Sequence, residues 1–181
     1  MRACCLGILL VLIFAAPCLA AESPTSAEDV VAAARAQATE QHKNIFLIFG
    51  ASWCGWCRKL DAFLASPQVK PIIEKHFVIA RVTVAEEFGR GNPLLNSPGG
   101  EDLVLKLGGE KSSVPFVAFL DQNGELIINS LRPVGNQAEG ENIGFPTEPE
   151  EIDWFLAMLR KATADLTLHD AHVIEKSLRA Q

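Results

Sequence analysis

Apolar positions along this chain form two kinds of pattern. "NIFLIF" (44–49) and "FVIARVTV" (77–84) are short and nearly continuous apolar runs, as expected of strands buried on both faces. "VPFVAFLD" (114–121) and "ELIINS" (125–130) flank Gln122-Asn123-Gly124, a turn signal that predicts a hairpin. Between these runs the spacing turns helical. Ser26, with Asp29 reaching back to it, caps an alanine-rich helix to about Gln41. Gly50–Trp53 turns the chain, and a helix starts near Cys54 and runs to about Ala65. Ser66 and Pro67 end it where a further short helix can begin, with Pro71 leaving its first residue open. Glu101–Leu107 is a short helix stopped by Gly108 and Gly109. Thr147 and Glu150 form a capping box for a helix whose Ile152, Phe155, Leu156 and Leu159 make one apolar stripe. A further polar helix fills 165–180, and the Gly-, Asn- and Pro-rich stretches 85–100 and 133–146 read as loops.

This order implies an α/β domain. Two buried strands joined through a helix suggest a parallel βαβ unit, to which the hairpin adds antiparallel strands. The result is a mixed central sheet with helices on both faces. In such sheets chemistry gathers where strands end and helices begin. Cys54 and Cys57 stand at such a junction, directly after the first strand.

The chain has 181 residues and is 49% apolar, enough for one domain with a proper core. Part of that apolar content lies at the start. After Met1 and Arg2, Leu6–Ala16 carries no charge, and Pro17–Ala20 leads into "AESPTSAED". Residues 1–20 read as a secretory signal peptide cut after Ala20, with an uncleaved anchor as the alternative. A lipid-bearing Cys18 fits less well, because Pro17 precedes it. No second stretch is long enough to span a bilayer, so the mature chain is expected to be exported, periplasmic or secreted.

Removing this segment takes away Cys4, Cys5 and Cys18, so only Cys54 and Cys57 of the five cysteines remain. It also removes Arg2, leaving 15 basic against 22 acidic residues and a net charge of −7. That balance argues against nucleic acid as a partner.

A cysteine pair this close has three readings. As a disulfide staple it closes a tiny loop and constrains little. As a zinc site it supplies half the ligands, and His42, His76, His169 and His172 all lie far from it in sequence. As a redox centre it benefits from a helix N-terminus, whose free N–H groups and partial positive charge favour a thiolate. On that reading Cys54, at the helix end and the more exposed, attacks a partner disulfide, and Cys57, one turn in, resolves the mixed disulfide. Arg58 and Lys59 add positive charge or simply point to solvent. Trp56, between the cysteines, either shapes a partner surface or shields the disulfide. Trp154 belongs to a core or to an interface. The loop at 85–100 has no nucleotide-binding spacing.

"IFLIFGASWCGWCRKL" resembles the active-site segment of the thioredoxin superfamily, and "SSVPFVAFLD" resembles the segment that carries its cis-proline. The resemblance covers roughly residues 26–163, leaving 164–181 as a C-terminal helical extension. With "SPQVKPIIEKHFV" it is nearest the exported, thioredoxin-7 type. It implies a thioredoxin-like three-layer sandwich and a thiol–disulfide oxidoreductase without organic cofactor or metal. Its partners would be proteins with disulfides or thiols and a further redox partner. By position, Cys54 matches the attacking cysteine, Cys57 the resolving one, Trp53 the adjoining tryptophan and Pro115 the cis-proline. The backbone of Val114 would pair with a substrate chain. One departure stands out: Ile48 occupies the position of a buried Asp in thioredoxins proper, where a carboxylate helps move the resolving thiol's proton. Gly-Trp between the cysteines also replaces the common Gly-Pro. The direction of electron flow is left open, with reduction favoured. The alternative is a peptide-binding or chaperone module with little redox turnover.

Overall fold

A computed structural model describes residues 24–110, 112–135 and 140–180. The proposed signal segment, residues 1–20, lies outside the described residues. The elements run α1 (Ala27–Gln41), β1 (Asn44–Gly50), α2 (Gly55–Leu64), α3 (Lys70–His76), β2 (Phe77–Thr83), α4 (Gly100–Lys106), β3 (Phe116–Leu120), β4 (Leu126–Asn129), β5 (Leu131–Arg132), β6 (Glu141–Asn142), α5 (Pro149–Ala162) and α6 (Leu168–Arg179). A single 3₁₀ turn, Pro93–Leu95, interrupts the loop after β2.

The main sheet has the order β2-β1-β3-β4. β1 runs parallel to β2 and antiparallel to β3, so Ile48 stands beside Arg81 on one side and Val117 on the other. The continuous apolar run of β1 serves both faces in turn, because successive strand residues point to opposite sides. Ile45, Leu47 and Phe49 join a core with α1, β2 and α4. Phe46 and Ile48 join a second core with α2, α3, α5 and α6. Two cores on either side of one sheet are the three-layer, mixed-sheet arrangement expected.

Small residues explain α1, whose Ala27, Ala34 and Ala38 are buried. The Ser26 hydroxyl accepts from the Asp29 amide at 3.1 Å and donates to its carboxylate at 2.6 Å, as the sequence pattern predicts. At α5 the cap lies one residue later than the Thr147–Glu150 pairing. The carboxylate that turns back belongs to Glu151, which accepts from the Thr147 and Glu148 amides at 2.8 and 3.0 Å. Pro149 then fills the first helical position, where no N–H is needed. The stretch 133–146 is not all loop: Glu141–Asn142 pairs with Leu131–Arg132 as a two-stranded ribbon. Two residues are too few to produce an alternating pattern. α6 buries Ala171, Ile174 and Leu178, so it has an apolar face as well as its polar one.

Candidate active site

Everything at the site converges on the turn between β1 and α2. Cys54 is the N-cap of α2, and Cys57 lies in its first turn. Their sulfurs form a disulfide with Cα atoms 5.3 Å apart. The Cys57 amide points at Cys54 Sγ from 3.0 Å. A free N–H of the helix start is thus aimed at the sulfur that gains charge as a thiolate.

Exposure does not rank the two cysteines as expected. Cys54 is 2% exposed and Cys57 8%. Ala51, Trp53 and Val114 pack around the pair. What distinguishes Cys54 is position rather than accessibility: its sulfur stands 3.5 Å from the Val114 carbonyl oxygen. Gly50 packs closely behind Cys57: a Cβ there would come within 3.2 Å of Cys57 Sγ, which would have to shift slightly to admit it.

Val114–Pro115 is a cis peptide bond. The segment is held from below by residues that sequence reading missed. Asn142 donates through Nδ2 to the Ser113 carbonyl at 2.6 Å and to the Pro115 carbonyl at 3.1 Å. Its Oδ1 accepts from the Ser130 hydroxyl at 2.6 Å. Ser130, fully buried, accepts in turn from the Val117 amide at 3.0 Å. Asn142 sits in a loop-like stretch of sequence, so only its contacts reveal the role.

The two tryptophans divide. Trp53 donates from Nε1 to the Ala85 carbonyl at 2.9 Å, with the Arg90 guanidinium 4.2 Å over its ring. Trp56 stacks on Phe145 with centroids 6.3 Å apart and remains 50% exposed. Arg58 and Lys59 do not simply point to solvent. Arg58 donates to the Ser52 carbonyl at 3.0 Å, and Lys59 lies 4.4 Å over the Trp56 ring. Trp154 is partly buried against the core.

Ile48 is buried, as its place in β1 requires. It lines a cleft of about 300 Å³ together with Gly50, Cys57, Asp61, Arg81 and Glu86. Asp61 and Arg81 pair at 2.7 Å. Glu86 is a further residue the sequence did not single out. It is 3% exposed, and its carboxylate accepts from the Ser52 amide, the Ser52 hydroxyl and the Asn92 amide. Burial opposes its ionisation, but the three hydrogen bonds together outweigh that and hold the carboxyl below the ordinary glutamate value. Among the described residues, no group of three or more His, Cys, Asp or Glu side chains is placed to hold a metal ion.

A family model described as thioredoxin-like, of the thioredoxin-7 type, matches residues 26–122, just over half of the chain. The chain belongs to the thioredoxin-like family. The disulfide of this thioredoxin-like chain and its cis-proline segment lie inside that match. Over 92 residues it is 28% identical to protein disulfide isomerase-like 1-1 of Arabidopsis thaliana, covering 47% of this chain and 18% of that protein. The chain thus spans less than a fifth of that relative's length. It is similar to the disulphide isomerase structure of Xylella fastidiosa Temecula1, at 27% identity and a TM-score of 0.49, over 63% of this chain and 80% of the other. A further similar structure is the oxidised C-terminal domain of Neisseria meningitidis DsbD, at 19% identity and a TM-score of 0.45, over 76% and 99% of the two chains. No helix among the described residues is long and apolar enough to cross a membrane.

Proposed function

We propose that this chain is an exported protein thiol–disulfide oxidoreductase, with Cys54 as attacking and Cys57 as resolving cysteine. The observation that carries the reading is the position of Cys54 Sγ, between the Cys57 amide at 3.0 Å and the Val114 carbonyl at 3.5 Å. A thiolate there is stabilised by the helix start and lies beside a backbone edge on which a partner chain can lie.

The reaction balances without a cofactor. In the reducing direction the Cys54 thiolate attacks one sulfur of a partner disulfide. A mixed disulfide forms and one partner thiolate leaves. The Cys57 thiolate then attacks Cys54 Sγ, closing the internal disulfide and releasing the second partner thiolate. Two electrons and two protons pass from the pair to the partner. Cys54 is covered in the disulfide form, so a partner must displace Trp53 or Val114 contacts to meet it. Trp53, Trp56, Val114 and Pro115 form the partner-facing rim in this reading. The protein partners have accessible disulfides, and a separate electron donor re-reduces the pair. Export rests on the apolar segment at residues 1–20.

The test is trapping. Cys57→Ser protein is expected to accumulate mixed disulfides with protein substrates, and Cys54→Ser protein to form none. Normal turnover by Cys54→Ser protein sinks the assignment. Binding of unfolded chains that persists in the double Cys→Ala protein, with no turnover in the parent, replaces it by the peptide-binding alternative. A reduction potential near about −270 mV places the couple among reductants, and one nearer −120 mV among disulfide formers.

A further inference from the structure

Glu86 is the one carboxylate buried among the described residues. A buried charge is kept only where its partners compensate for lost water. Here the partners are specific. Both Glu86 oxygens are directed at Ser52, two residues before Cys54, and one also accepts from the Asn92 amide at 2.9 Å. The backbone of Glu86 is clamped as well. Asn96 accepts from its amide and donates to its carbonyl, each at 3.0 Å.

The surrounding chain is shaped to this carboxylate. A Cβ on Gly91 would lie 1.8 Å from Glu86 Oε2 and 2.9 Å from the Trp53 ring. Ala85, just before it, has φ 58°, a left-handed conformation that a residue with a Cβ adopts at a cost. That conformation is held by the Ala85 amide donating to Glu101 at 2.8 Å and by the Trp53 indole on the Ala85 carbonyl. Strain of this kind gathers where a site must be held in one geometry.

Glu86 also shares the cleft behind Cys57. The other charged groups there, Asp61 and Arg81, neutralise one another. Arg58 is engaged on the Ser52 carbonyl, and Arg90 pairs with Glu87 at 2.9 Å above Trp53. Glu86 has no cationic partner within salt-bridge distance among the described residues. Its charge is met by N–H and O–H dipoles alone.

We propose that Glu86 is a positioning residue for the Cys54–Cys57 centre: it fixes the Ser52 turn that presents Cys54, and its fixed charge keeps the thiolate scarce, biasing the couple toward giving electrons away. The inference rests on the redox reading of the pair. A negative charge that lines the cleft behind Cys57 and is bonded to Ser52, two residues before Cys54, disfavours a second one at the pair. A destabilised thiolate destabilises the reduced pair, which makes that pair the stronger donor.

The experiment compares the fully reduced parent with Glu86→Gln, which keeps size and one acceptor and removes the charge. The readout is the alkylation rate of Cys54 against pH, located by mass spectrometry. Glu86→Gln is expected to carry roughly three times or more the Cys54 thiolate at pH 7. Its equilibrium with glutathione is expected to shift toward the dithiol. Glu86→Met removes the charge at similar length and reads the same quantity independently. Asn96→Ala, which loosens the clamp on the Glu86 backbone without changing any charge, is expected to titrate like the parent. Superimposable titrations of parent, Glu86→Gln and Glu86→Met overturn the proposal, as does an equal shift in Asn96→Ala. The titration needs no partner or turnover, so it fails separately from the oxidoreductase assignment.

Discussion

Cys54 Sγ stands 3.5 Å from the carbonyl oxygen of Val114, a residue sixty positions later in the chain. The contact joins the two halves of the site: a helix N-terminus that favours thiolate and the backbone edge on which the proposed function lays a partner chain. The geometry of that edge depends on what lies beneath it.

Asn142 is therefore the first residue to change. Asn142→Ala deletes the donors to the Ser113 and Pro115 carbonyls and the acceptor for Ser130. Stranding such groups costs about 1–3 kcal/mol. Urea unfolding should show that loss. Turnover should fall more for a protein disulfide than for a small disulfide, because the latter has no chain to lie along Val114.

Trp56 is half exposed above Phe145, with Lys59 over its ring. An aromatic presented this way beside a reactive sulfur is expected to anchor partners. Trp56→Ala should weaken protein-substrate binding by roughly 1 kcal/mol or more, about fivefold in KM. Stability should change less than in a core substitution. An unchanged KM for protein substrates, with slower or faster small-disulfide exchange, assigns Trp56 to shielding instead.

Ile48 faces the cleft that also holds Cys57. Ile48→Asp places a carboxyl at a buried position of β1 and should cost about 2 kcal/mol or more. Burial raises that carboxyl's folded-state pKa above its unfolded value. The variant is then least penalised at pH values below the ordinary aspartate range and loses stability as pH rises through the raised value. Urea unfolding at pH 4 and pH 7 checks the sign.

His76 is buried at the end of α3, with Nδ1 3.4 Å from the Thr163 hydroxyl and no hydrogen-bond partner for Nε2 among the described residues. Burial, aided by Lys75, holds its pKa below 6.5, against the opposing pull of Asp170 and Asp165. The neutral ring is the folded-state form. Its stabilising contribution is full above the unfolded value of 6.5 and is lost as pH falls through the lower folded value. Unfolding free energy should decline on acidification below pH 6.5, and His76→Leu should flatten that slope.

The apolar runs at 44–49 and 77–84 determined the parallel strand pair, because a strand buried on both faces has few other sequence patterns. Cys-Gly-Trp-Cys after the first run, with Val-Pro downstream, marked the candidate site. These signals are local: each depends on spacing within a few residues. Tertiary structure alone decided which distant groups stand behind the site. Glu86 and Asn142 lie in stretches that read as loops, and nothing in their neighbours' periodicity separates them from solvent-facing polar residues. Only folding brings Glu86 to Ser52 and Asn142 to Pro115, 34 and 27 residues away. The relative burial of the cysteines was decided there too. Helix position favours Cys54 as the exposed sulfur, but Trp53 and Val114 close over it, and packing by a remote loop overrides what the helix end would otherwise leave open.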